Sequence, residues 1–220
     1  MPASIEYVLM AAPVAIYCAL LSTWHGGRRP KIVPGSIDAA LLGFGLAGLI
    51  IWGPPGHLIA GIAFGRPGLL DWLTIASGYA MVCSIVARLA SRRLVVYHVK
   101  PEALTRALAV VLAGDDNQFT RTLGGFEDAL AGRGVRVETS SLLQTAVVET
   151  HGTQAEALLD RIRPRLAAVL SSETSPPTPF AWGLIGVSVA ALVLPILVLV
   201  LGRPSTRAAL RVLLDRIRGQ

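Results

Sequence analysis

LLDWLTIASGYAMVCSIVARLASRRLVVYHV, residues 69–99, joins two different kinds of chain. From Leu73 to Ala87 no residue is charged, and the apolar stretch 69–89 around it is long enough to cross a bilayer as a helix. Asp71 sits in the first turn, where the helix dipole favours a carboxylate, and Arg88 can snorkel from the last turn. After Arg92 and Arg93 the composition changes. Leu94-Val95-Val96-Tyr97-His98-Val99 is rich in β-branched and aromatic residues and reads as a strand. The expected fold is therefore helical and multi-pass in a membrane, with a small α+β domain inserted between spans.

Three further stretches resemble the first half of this run. They give spans at about 5–24, 37–52 and 180–201, besides 69–89. The four tryptophans, Trp24, Trp52, Trp72 and Trp182, all fall at or next to the ends of these stretches. Indole has an apolar body and one N–H donor, so it settles at the headgroup level of a bilayer. These four are the expected interface anchors. In the second span Ala39, Gly43 and Ala47 form a small-residue stripe on which another helix can approach closely. Gly53-Pro54-Pro55-Gly56 ends that span, and residues 57–65 are apolar but too short to cross. They read as an interfacial helix or loop, the alternative being a re-entrant segment.

Hydrophobic residues make up 53% of the 220 residues and charged residues 15%, against roughly 25% in ordinary soluble domains. Mean hydropathy is +0.58 and the isoelectric point about 10.0. The net charge of +6 comes largely from arginines beside the spans, a pattern of membrane orientation and not of nucleic-acid binding. Cys18 and Cys83, the two cysteines, both lie in apolar stretches and read as buried thiols. Met1-Pro2-Ala3-Ser4-Ile5-Glu6 has no basic n-region, so the first stretch reads as a retained span.

The inserted domain is expected over 94–170. Pro101 opens a helix to Ala113 with Leu104, Leu108, Val111 and Leu112 on its apolar face. Asp115-Asp116-Asn117 reads as a solvated turn, 119–123 as a strand, and 126–130 as either strand or helical turn. Val135, Val137 and Thr139 alternate with Arg136 and Glu138, Ser140-Ser141 turns the chain, and 143–150 pairs back. A last helix to Leu170 contains Pro164, which is expected to bend or split it. Two helices on one face of an antiparallel sheet give a ferredoxin-like, split β-α-β arrangement lacking its final strand. Residues 171–179 form a linker, Pro195 is expected to kink the fourth span, and 202–220 form a basic amphipathic tail helix. Arg207, Arg211 and Arg218 of that tail would face lipid headgroups.

Four spans place both termini on one side of the membrane. Arg28, Arg29 and Lys31 of the first loop, with Arg92, Arg93 and Lys100 at the base of the domain, lie on the other. Positive residues favour the cytoplasmic side, and these six outweigh the tail's five, so the domain is expected in the cytoplasm at the cell membrane.

Catalytic signatures are missing. The four histidines lack metal-ligand spacing, and no phosphate-cradling glycine loop or nucleophile elbow is present. The ionisable residues of the spans stand near span ends, not at mid-membrane where coupled transport needs them. No cofactor, metal or nucleic acid is expected. The function expected is non-enzymatic: an α+β module displayed at the membrane surface, binding a protein partner, a ligand or its own copy, in contact with membrane lipids. The alternative is an enzyme or transport subunit for a lipid-like substrate, with His57, Arg66 and Asp71 meeting beside Trp72 and arginine holding a phosphate.

Overall fold

The computed structural model describes residues 3–65, 68–114, 119–140, 143–174 and 178–201. Arg66, the Asp115-Asp116-Asn117 turn, Ser141, part of the 171–179 linker and the tail with Arg207, Arg211 and Arg218 lie outside the described residues. Four helices are long and apolar enough to cross a membrane: Glu6–Gly26, Gly35–Trp52, Leu69–Arg92 and Pro179–Leu197. They belong to α1 (Ala3–Gly26), α2 (Gly35–Ala47, continued by a π-helical turn Gly48–Trp52), α4 (Leu69–Leu89, continued by a 3-10 turn Ala90–Arg92) and α7 (Pro179–Leu201). Between α2 and α4 stands α3 (Pro54–Phe64), about 16 Å long at the usual rise per residue and so well short of a bilayer core. Pro54 and Pro55 supply its first positions, where no backbone donor is needed, and Gly65, at φ 71°, ends it.

The chain forms two compact units, and several helices contribute to both. The larger comprises Leu20–Gly43 and Gly78–Leu184 and holds a six-stranded antiparallel sheet in the order β1-β2-β6-β5-β4-β3. Its strands are β1 (Lys31–Pro34), β2 (Arg93–Tyr97), β3 (Thr120–Thr122), β4 (Gly125–Asp128), β5 (Arg133–Ser140) and β6 (Thr145–Gly152). On one face lie α5 (Pro101–Ala113) and α6 (Ala155–Leu170). Leu104, Leu108, Val111 and Leu112 of α5 are buried, as their helical spacing predicts, and meet Leu158, Ile162, Leu166 and Leu170 of α6 over Leu94, Val96, Val135 and Val148. Val135 is buried and Val137 partly so, while Arg136 and Glu138 are exposed, as the alternation predicts; Thr139, expected on the side of Val135, is exposed near the strand end.

The pairings also explain the strand that the domain sequence lacks. Since β2 and β5 are each antiparallel to β6, they run in the same direction with β6 between them, a split β-α-β with the hairpin β3–β4 inserted. The place beside β2 is taken by β1, from the basic loop after α1. Ile32 and Val33 pair with Val96 and Val95, and Pro34 is tolerated because β1 is an edge strand. Val33, Val95 and Tyr97 form a second small core on the opposite face, against Leu21 and Trp24 of α1. The Tyr97 hydroxyl donates to Asp38 Oδ1 at the start of α2, and Tyr79 of α4 donates to the carbonyl of Gly43 at 2.7 Å.

Two local expectations resolve differently. The ambiguous 126–130 segment divides into the end of β4 and the turn that follows it. Pro164 does not split α6: it lies on the exposed side, where the carbonyl of the equally exposed Asp160, denied its usual donor, can turn to water.

The smaller unit includes Phe44–Ser77, the N-terminal part of α1 as far as Ala19, and α7 from Ile185. Gly48 packs on the α1 backbone so closely that a Cβ there would lie 2.6 Å from the Leu9 carbonyl oxygen. Across from it, Ser188 of α7 donates to the carbonyl of Ala15 at 2.9 Å, in a buried contact. Pro195 lies inside a single continuous α7.

Candidate functional site

In the smaller unit the π-helical turn at the end of α2 delivers Trp52 onto Trp72, at the start of α4, with ring centroids 4.9 Å apart and planes 24° apart. Such wide turns recur at functional sites because they re-aim one side chain within a helix. His57, in the first turns of α3, stands edge-on to Trp72 at 5.2 Å. Its Nε2 lies 4.0 Å from Glu6 Oε2, too long for a hydrogen bond. Glu6, Tyr7, Met10, Trp52, Gly53, Pro54 and His57 line a depression of about 250 Å³. Asp71 is engaged elsewhere: its Oδ2 accepts the Gly68 backbone N–H at 2.7 Å, closing the first turn of α4.

Of the expected polar set, then, His57 reaches Trp72, Asp71 serves as a helix-terminal acceptor, and Arg66 lies outside the described residues. Glu6 was legible only as an ionisable residue near a span end. Its pairing with His57 depends on where α3 packs, which no local pattern encodes. The tryptophans divide as well. Trp24 packs against Tyr97 in the larger unit with ring centroids 5.1 Å apart and planes tilted by 45°, Trp52 and Trp72 hold each other, and Trp182 is 71% exposed.

A second arrangement occupies the open face of the sheet, in the larger unit. Arg93, Glu149 and Arg136 lie in register across β2, β6 and β5. Arg93 Nε donates to Glu149 Oε1 at 3.0 Å, and Arg136 Nη2 lies 3.2 Å from Glu138 Oε1. One register step on, Glu127, Gly134 and His151 form a row across β4, β5 and β6. The imidazole of His151 lies over Gly134, and a Cβ there would stand 2.5 Å from its Nε2. Glu127, Arg136, Glu149 and His151, with Leu123 of the β3–β4 turn, line an open depression of about 810 Å³.

A third polar element is enclosed. His25 is 2% exposed, edge-on to Tyr97 and Phe180 at 5.3 Å each. Its ring fills the space between two aromatic neighbours, and its Nδ1 makes no hydrogen bond among the described residues. Among the described residues no group of three or more His, Cys, Asp or Glu side chains could hold a metal ion. The sheet face presents a mixed-charge surface with an exposed leucine at its rim.

No family model, curated protein or solved structure matches the chain.

Proposed function

We propose that this is a multi-pass membrane protein that displays the sheet as a protein-binding module at the membrane surface, on the cytoplasmic side, and that it is not an enzyme. Support for the membrane reading comes from α4. None of its residues is buried, and Leu69, Leu70, Met81 and Leu89 are all largely exposed. A helix apolar on every side persists where its surroundings are apolar too. Arg28, Arg29, Lys31, Arg92, Arg93 and Lys100 flank the sheet side and support the cytoplasmic assignment through the positive-inside bias.

The observation that carries the binding role is the open sheet face. Arg136, Glu138, Glu149 and His151 present both signs of charge around a depression that no element of the larger unit fills among the described residues, and Leu123 is fully exposed beside it. An apolar knob ringed by charges has the composition of a recognition patch, with charge setting register and partner choice.

The test is site-specific photo-cross-linking in native membranes, with the reactive group at position 138 of the full-length chain. The expected result is a discrete cross-linked species that disappears on Arg136→Glu and leaves the protein's abundance unchanged. A cross-linking pattern indifferent to that charge reversal would refute the role of this face.

A further inference from the structure

We propose that the smaller unit binds a zwitterionic phospholipid, with its headgroup between Glu6 and His57 and one acyl chain in a groove between α1 and α7. The proposal rests on the membrane reading above but not on the sheet's role as a binding module.

The groove has a volume of about 570 Å³ and is lined by Tyr7, Met10 and Ala11 of α1 and by residues of α7 that include Ala190, Ala191 and Leu194. It adjoins the Glu6–His57 depression at Tyr7 and Met10, which line both, so a polar end and an apolar groove lie side by side. Three alanines keep the groove open where larger side chains would fill it. A volume of this size falls within the range of small-molecule sites, which are mostly apolar with a few placed polar groups.

The polar end selects the head. Glu6 and His57 stand 4.0 Å apart and are each partly exposed, so both can turn toward a ligand. The Glu6 carboxylate complements an ammonium group, and Tyr7 and Trp52, which also line this end, supply aromatic rings that a cation favours. His57 can donate an imidazole N–H to a phosphate oxygen. Among the described residues the lining includes no lysine or arginine, so a headgroup with negative charge alone meets the Glu6 carboxylate without a fixed cation beside it. An ammonium-phosphate head presents the matching pair of charges.

The experiment uses full-length protein. Carbonate extraction of membranes first establishes integration, since failure there removes the membrane reading itself. Detergent-purified protein is then incubated with equal amounts of phosphatidylethanolamine and phosphatidylglycerol of identical chains, and retained lipid is read by native mass spectrometry. One partly exposed ion pair with an aromatic contact predicts roughly a fivefold to tenfold excess of phosphatidylethanolamine. Glu6→Gln should bring the ratio to parity, Ala191→Phe should lower retention of both lipids, and Glu138→Gln on the sheet should change neither. Ala190→Leu makes the same groove test with a smaller side chain should the phenylalanine variant misfold. Parity in the unsubstituted protein, or a preference that survives Glu6→Gln, overturns the proposal in an integrated protein.

Discussion

Gly134 shows how one missing side chain shapes a surface. Its position in β5 is buried, and the His151 ring from β6 occupies the space a Cβ would need. Alanine at this position must displace the imidazole or spread the two strands. Gly134→Ala is therefore expected to lower stability by about 1–3 kcal/mol, the usual cost of overpacking. A lower denaturant midpoint with an unchanged slope would show it; an unchanged midpoint would mean that His151 moves aside freely. Asp128 illustrates the opposite case, a polar residue held by full pairing. Buried at the end of β4, it accepts from the backbone N–H of Ala131 at 3.1 Å and from Arg133 Nε at 3.3 Å. The burial of its carboxylate is thus met by two donors, one of them charged.

Among the elements, β1 has the longest reach, because four residues from a loop complete a sheet whose next strand begins some sixty residues later. Without β1, the outer edge of β2 presents unpaired backbone groups, and Val95 and Tyr97 lose Val33 as a neighbour. An isolated fragment of residues 90–172 is therefore expected to self-associate in size-exclusion chromatography. Fusing residues 30–35 to it through a flexible linker is expected to restore a monomer. A fragment already monomeric would show that β1 adds little to the sheet. The helices α5 and α6 need no such help from afar, since each buries a regular stripe of leucines in the common core.

For the whole molecule, the decisive property is the side of the membrane on which the sheet lies. Cys18 and Cys83 are the native thiols, so a chain with both replaced by alanine accepts single reporter cysteines. With Ser172→Cys or Gly219→Cys in intact cells, an impermeant maleimide is expected to label position 219 and to leave 172 unlabelled. The reverse pattern would put the sheet outside the cytoplasm and redirect the search for its partner to the exterior. Labelling at both positions would contradict the crossing by α7 that separates them.

Much of the architecture was legible because its signals are local. The apolar runs set the four long helices, helical spacing marked the buried faces of α5 and α6, and alternation marked the β5–β6 hairpin. The candidate sites were less legible. Trp52 and Trp72 were visible as terminal residues of two stretches, yet their stacking depends on a wide helical turn and on the packing of α3. Asp71 looked like a partner for His57, but the backbone N–H of Gly68 lies nearer and takes its carboxylate. Hydrophobic period and helix-end chemistry act within a few residues, so the four long helices, α5, α6 and the β5–β6 hairpin are written in local sequence, whereas β1 was not. It took tertiary packing to make Lys31–Pro34 close the sheet, to bring Glu6 to His57 and to set Trp24 against Tyr97. Each of these joins residues far apart in the chain, through contacts that exist only once the helices and strands have packed.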